Sequence, residues 1–295
     1  MDEKLCVRMI GLLFLVGLMS CNNGSEAKTN KADTVTNVVS TDKKPAVQPG
    51  AETQAVQKDS INKFDRKPIT YDSTKKYIYL TFDDGPGHGT VACFDLCKEL
   101  GIKSSFFMVG IHAGDEKLKD MVKNIRESYP QTILCNHSYT HARDRYIYFY
   151  QHPQMAFEDF LQAQQSLNVP YKIIRLPGNS AWVREGEVKS THLVNPVCRL
   201  LDSAGYNVIG WDVEWSFNHK TADPVQSPEK MAEMVNYAFE KNNTHTKSHL
   251  VILTHDRMFR NPNYTDSLAK FITLMKQNPN YVFETIDNYP KLKFK

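Results

Sequence analysis

From about Lys67 onward the chain alternates short runs rich in β-branched and aromatic residues with stretches of helical spacing. The spacing predicts strands at Tyr77–Thr81, Ser104–Met108, Thr132–Cys135, Tyr171–Arg175, Asn207–Trp211, Leu250–Thr254 and Tyr281–Glu284. Between them it predicts helices at Val91–Leu100, Glu116–Tyr129, Gln154–Leu167, Val194–Ala204, Pro228–Lys241 and Asp266–Gln277. Such alternation implies parallel strands joined by right-handed crossovers. About seven units in 229 residues suit one α/β domain, a single distorted (β/α) barrel of about seven parallel strands, rather than two domains. In barrels of this kind the chemistry collects at the C-terminal ends of the strands, so the polar clusters there are the candidates.

Thr81-Phe82-Asp83-Asp84-Gly85-Pro86 follows the first strand directly. Adjacent carboxylates repel each other and diverge at a strand end. A cation would relieve that repulsion and leave one carboxylate free to move a proton. Alone, the segment reads equally well as a polar Asp-Gly-Pro turn. His137-Ser138-Tyr139-Thr140-His141 follows the third strand, and two histidines at this spacing can chelate one metal from a single helical turn. With a carboxylate from another strand end they make an Asp-His-His set that leaves coordination positions open.

Arg175-Leu176-Pro177-Gly178 ends the fourth strand, where an arginine can orient a catalytic carboxylate; alone it also reads as a surface arginine on a turn. Trp211-Asp212-Val213-Glu214-Trp215 brings two acids between tryptophans. A carboxylate there could keep a histidine protonated and the tryptophan faces could stack on sugars; aromatic core with exposed acids stays open as the alternative. Ile252-Leu253-Thr254-His255-Asp256 puts His255 at the same mouth. The aromatic run Tyr146–Tyr150 reads as the packing of an unusual loop in preference to a glycan platform.

Composition excludes some classes. Lys and Arg number 36 against 33 Asp and Glu, a net charge of +3 that is spread along the chain and does not argue for nucleic-acid binding. At 41% hydrophobic and 11% aromatic residues the chain can form a core, which excludes global disorder. The first 66 residues differ from the rest. Lys4 and Arg8 precede eleven uncharged residues, Met9–Met19, which suit an export signal and fall short of the ~20 needed to span a bilayer. The run ends Leu18-Met19-Ser20-Cys21, resembling a bacterial lipobox, so residues 1–20 are expected to be a signal peptide and Cys21 the lipidated residue. Residues 22–63 lack Phe, Tyr and Trp. Residues 21–66 therefore read as a disordered tether, with an r.m.s. span of roughly 35–40 Å, ahead of a catalytic domain at 67–295. The expected location is a bacterial cell envelope, periplasm or cell surface, with the membrane met only through the lipid. Cys93, Cys97, Cys135 and Cys198 show no zinc-site spacing and are expected to be buried free thiols.

Five clusters in this order resemble the polysaccharide deacetylases, the NodB-homology group of carbohydrate esterase family 4. The resemblance spans about residues 75–290, and TFDDGP at 81–86 and HSYTH at 137–141 match the first two family motifs. It implies metal-dependent removal of acetyl groups from a glycan; the chain is expected to be a monomer. Asp84, His137 and His141 would hold a divalent metal, zinc in the first place. Asp83 would be the general base acting on the attacking water, Arg175 the arginine that holds it, and His255 the general acid. Glu214 or Asp212 would tune His255, and Leu253 would wall the acetyl pocket. The implied substrates are acetylated polysaccharide or peptidoglycan carrying N-acetylglucosamine. An acetylxylan-type O-acetyl esterase and a non-catalytic glycan-binding lipoprotein are the alternatives. Two departures stand out. Gly178 directly follows Pro177 where the family's third motif has an intervening aromatic, so Trp182 is expected to supply that wall. The fourth motif is one residue short, so Asp212 and Glu214 compete for one role, with Trp215 beside them as a sugar contact.

Overall fold

A computed structural model describes Arg66 and residues 68–294. The expected signal segment, Cys21 and the tether up to residue 65 lie outside the described residues. Arg66, the last residue of the expected tether, already holds to the domain: its guanidinium donates to the Asp287 carbonyl at 3.0 and 2.7 Å.

The elements follow the expected alternation: β1 (Lys76–Asp83), α1 (His88–Glu99), β2 (Ser104–Met108), α2 (Glu116–Glu127), β3 (Thr132–Asn136), α3 (Tyr146–Gln151), α4 (Pro153–Ser166) and β4 (Ile173–Ile174). Then come β5 (Trp182–Arg184), β6 (Glu187–Lys189), α5 (Asn195–Ser203), β7 (Asn207–Val208), β8 (Val213–Glu214), α6 (Pro228–Glu240), β9 (His249–His255), α7 (Pro262–Lys276) and β10 (Tyr281–Phe283). One sheet runs in the order β6-β5-β7-β4-β3-β2-β1-β9-β8, and β10 adds to β1 beside this path. Among the described strands, both antiparallel pairings involve β5; the rest are parallel. The curled sheet is a distorted barrel, with β6 and β8 at its two ends. The β5–β6 hairpin is an element the alternation did not announce.

Strand β1 shows how the sequence builds the layers. Ile78, Leu80 and Phe82 point outward into a core shared with α1, α2, α6 and α7, where each buried side chain is worth ~1.5–3 kcal/mol. Tyr77 and Tyr79 point the other way, into the barrel, against Phe107, Cys135, Val251 and Tyr289. Helix starts are closed locally: Asp115 caps α2 by accepting from Leu118 N, and Ser227 caps α6 ahead of Pro228. The four cysteines among the described residues, Cys93, Cys97, Cys135 and Cys198, are buried and free. The register then places the candidate site: Asp83 lies opposite His255 across β1 and β9, and Glu214 lies opposite Leu253 across β8 and β9.

Candidate active site

Continuing the alternation of β1, Thr81 and Asp83 face the barrel interior at its C-terminal end. Arg175, just beyond β4, is fully buried beneath them. Its Nη1 donates to Asp83 Oδ1 at 2.8 Å and to Thr81 Oγ1 at 2.6 Å, Nε to the Ile209 carbonyl at 3.2 Å and Nη2 to the Gly210 carbonyl at 3.1 Å. The guanidinium plane lies over the Phe107 ring at 4.3 Å. A buried cation costs several kcal/mol unless it is paired and hydrogen-bonded, and here every side of the guanidinium is engaged. The carboxylate of Asp83 is thereby fixed through Oδ1, which leaves Oδ2 facing the cleft, 3.7 Å from His137 Nε2.

The chain turns at Asp84, whose φ of 75° lies in the left-handed region. This aims its carboxylate at the two histidines: Oδ1 is 3.4 Å from His137 Nε2 and 3.1 Å from His141 Nε2. His137 Nδ1 donates to the Arg175 carbonyl at 3.0 Å, a contact that leaves Nε2 with its lone pair toward Asp84. The histidines do not come from one helical turn as expected. Ser138, His141, Ala142, Arg143 and Asp144 all have positive φ, and this left-handed turn carries His141 back over Asp84. Asp159 on α4 pins it, accepting from Tyr139 N (2.7 Å), Thr140 N (3.2 Å) and Thr140 Oγ1 (2.7 Å).

One carboxylate oxygen and two imidazole nitrogens thus lie within 4.8 Å of one another. Asp84 Oδ1 is buried and, though it faces the two histidine nitrogens, is left without a hydrogen bond, an arrangement that a shared ligand would satisfy. Burial alone would raise the pKa of Asp84, but His137 and His141 hold it well below the usual carboxylate range. The mixed oxygen and nitrogen donors and the orphaned oxygen fit a divalent transition metal.

His255, at the end of β9, completes the cleft. Its Nε2 is 4.0 Å from Asp84 Oδ2, and Phe217 packs edge-on at 4.8 Å. Burial lowers its pKa below the ordinary histidine value despite the nearby carboxylates. Its Nδ1 has no hydrogen-bond partner, so neither Asp212 nor Glu214 touches it there, contrary to expectation. Asp212 is turned to the backbone instead, accepting from His245 N at 2.6 Å and Val251 N at 2.7 Å, and burial pushes its pKa up to about 6. Glu214 does line the cleft, as does Leu253.

The expected tryptophan contacts are placed elsewhere. Trp182 is buried on β5, stacked on His245 at 4.0 Å and on Tyr289 at 5.3 Å, because the antiparallel hairpin turns it into the barrel. Trp215 has no exposed surface and donates Nε1 to the Gln226 carbonyl, with Phe259 and Phe271 against its ring. Trp211 lines the cleft in their stead. Beside Gly178, where the third motif lacks its aromatic, the Tyr146 ring lines the cleft: a Cβ on Gly178 would come within 3.2 Å of it. The Tyr146–Tyr150 run was the available signal. Sequence reasoning gave no place to Arg257, whose Nη2 is 3.1 Å from Asp84 Oδ2, or to His112, whose Nδ1 donates to the Asp84 carbonyl at 2.7 Å. The whole cleft measures about 600 Å³.

Comparison with known proteins agrees with this geometry. The family model for polysaccharide deacetylase matches residues 70–181, the stretch that contains Asp83, Asp84, His137, His141 and Arg175. A chitin disaccharide deacetylase of Vibrio alginolyticus is 26% identical over 73% of this chain and 72% of its own length. A peptidoglycan-N-acetylglucosamine deacetylase of Bacillus cereus is 27% identical over 62% of this chain and 60% of its own. Among solved structures, the catalytic domain of a peptidoglycan N-acetylglucosamine deacetylase from Eubacterium rectale has the same fold, with a TM-score of 0.54 at 23% identity over 78% of this chain and 97% of that one.

Proposed function

We propose, for a chain that belongs to the polysaccharide deacetylase family, that this cleft hydrolyses the acetamido group of N-acetylglucosamine units in a glycan such as chitin oligomers or peptidoglycan. The observation that carries the reading is the division of labour at the end of β1. Asp83 is held by Arg175 through one oxygen, and Asp84 converges with His137 and His141 through another. Adjacent residues are thereby committed to different tasks by different partners.

A divalent ion held by Asp84, His137 and His141, zinc on the nature of its donors, would polarise the acetyl carbonyl and acidify water. Asp83 Oδ2 faces the space in front of the histidines and is placed to take the proton of the attacking water. Arg175 keeps that oxygen aimed and compensates the carboxylate's charge as it approaches the reaction. His255, level with Asp83 across the β1–β9 pairing, is placed to deliver a proton to the departing nitrogen. Donation requires the imidazolium, which burial disfavours and the facing carboxylates of Asp84 and Asp83 favour, so the ring takes up a proton from solvent before the attack and returns to the neutral imidazole on giving it to the nitrogen. Leu253, Trp211 and Tyr146 enclose the acetyl group and sugar.

An amide leaving group needs that proton more than an ester does, and the placement of His255 is what favours N-deacetylation over ester hydrolysis. The sequence of residues 1–21 supports export and anchoring through a lipid on Cys21, in reach of envelope glycans. The experiment is acetate release by the metal-loaded protein from N-acetylglucosamine oligomers, peptidoglycan and acetylxylan in parallel. The reading expects release from the amide substrates, abolished by chelation and restored by zinc. Release from acetylxylan alone overturns it.

A further inference from the structure

The left-handed turn that carries His141 has two faces, and the second also borders a cleft. This cleft, about 430 Å³, is lined by Thr140, Arg143, Arg145, Tyr148, Met155 and Glu158 among others; Thr140 and Arg143 line the catalytic cleft as well. We propose that it is a sugar-binding subsite, which holds units of the same acetylated glycan strand beyond the one being deacetylated. The inference rests on the glycan-deacetylase reading above.

Three features of the cleft point to a pyranose ring. Tyr148 and Met155, which line it, are 55% and 40% exposed, an apolar surface on α3 and the start of α4. The Tyr148 ring is braced at 4.2 Å by His152, whose Nδ1 in turn bonds the Tyr148 carbonyl at 2.8 Å, so it presents a fixed face. Aromatic faces of this kind bury the C–H face of a sugar while leaving its hydroxyls at the edge. At that edge the guanidinium groups of Arg143 and Arg145 make no hydrogen bond or ion pair among the described residues. The neighbouring acids are already engaged: Asp159 pins the turn and Glu158 accepts from Gln154 at 3.1 Å. Unengaged donors beside an apolar platform match hydroxyl and acetamido oxygens. Continuity chooses the occupant, since a strand leaving the catalytic cleft over the shared wall of Thr140 and Arg143 enters this one.

Tyr148 and Arg145 line only the second cleft, so their replacement leaves the reacting groups in place. The test compares metal-loaded wild-type protein with Tyr148→Ala, Arg145→Ala and Tyr148→Phe on N-acetylglucosamine oligomers of two and six units. Expected is a KM for the hexamer raised roughly 3–10-fold in the two alanine variants, kcat unchanged, the dimer unaffected and Tyr148→Phe close to wild type. Equal effects on dimer and hexamer, or none on either, overturn the proposal. Hexamer binding to the same proteins is followed by calorimetry. Should wild type release no acetate, the deacetylase reading falls; loss of hexamer affinity in Tyr148→Ala then still supports the subsite, and unchanged affinity overturns it.

Discussion

Strand β9 carries a histidine at each end, and both face the barrel interior, since residues 249 and 255 share the parity of a strand. His249, at the N-terminal end, is sandwiched by aromatics: it stacks on Tyr77 at 5.1 Å, meets Tyr71 edge-on at 4.7 Å and pairs Nδ1 with the Tyr79 hydroxyl at 2.9 Å. Burial, with Arg184 adding to it, pushes its pKa down to about 4. His255, at the C-terminal end, is equally enclosed on one side by Phe217 but has an empty-handed Nδ1 and carboxylates in front of it. One residue type on one strand is thus used to close a core at the bottom of the barrel and left with an unsatisfied ring at the top. The difference lies in whether the neighbours satisfy the ring. It teaches that in this fold stability and chemistry are separated along each strand, and that they should be separable by mutation.

The largest effect is expected from the top. His137→Ala removes one of three converging donors, so bound divalent ion and acetate release should be lost together, measured by metal analysis and by activity, while the melting temperature of the metal-free protein changes little. Next, His255→Ala should lower amide turnover by about 10²–10⁴-fold without loss of metal. A comparable loss of metal would show that His255 is a ligand and not a proton donor.

Arg175 is where the separation breaks down, because it reaches from the barrel interior to Asp83. Arg175→Ala leaves a buried carboxylate and two carbonyls without their donor and should cost about 3–5 kcal/mol in urea unfolding as well as activity. Lysine should not rescue it, since one ammonium cannot meet four acceptors spread around a planar fork. The smallest effect belongs to the bottom. A histidine whose folded pKa is depressed to about 4 binds its proton later than the unfolded chain does, near 6.5. Between these values the unfolded state holds more protons, so the stability due to His249 is present above pH ~6.5 and is lost as pH falls. Compared with His249→Phe, wild type should lose about 1–2 kcal/mol of stability between pH 7 and 5, and the two should turn over substrate alike.

How much of this could be read from the chain follows the same division. Asp83, Asp84, His137 and His141 stand in contiguous clusters at strand ends, so a local pattern carried them, and Arg175 was placed by the rigid turn after β4. The left-handed path from Ser138 to Asp144 was not legible, because it is imposed by Asp159, about twenty residues further on. Trp182 was expected at the mouth because the hairpin of β5 and β6 was missed. Its signal was the two-residue Glu185-Gly186 link, with Gly186 at a φ of 72°. Asp212 looked like a partner for His255, yet nothing local says that its carboxylate will take two backbone amides, one of them Val251 on β9. These residues are held by contacts distant in sequence, and residues 212–255 also lie beyond the stretch that matches the family model.

Two neighbouring carboxylates are assigned different work, and Asp83→Asn tests that assignment most directly. The amide keeps an oxygen for Arg175, and Asp84, His137 and His141 are untouched. The variant, titrated with zinc and assayed on N-acetylglucosamine oligomers, should bind one ion with wild-type affinity and release acetate at least ~10²-fold more slowly. Near-normal turnover, or loss of the ion together with the activity, would contradict the assignment of Asp83 as the base and Asp84 as the ligand.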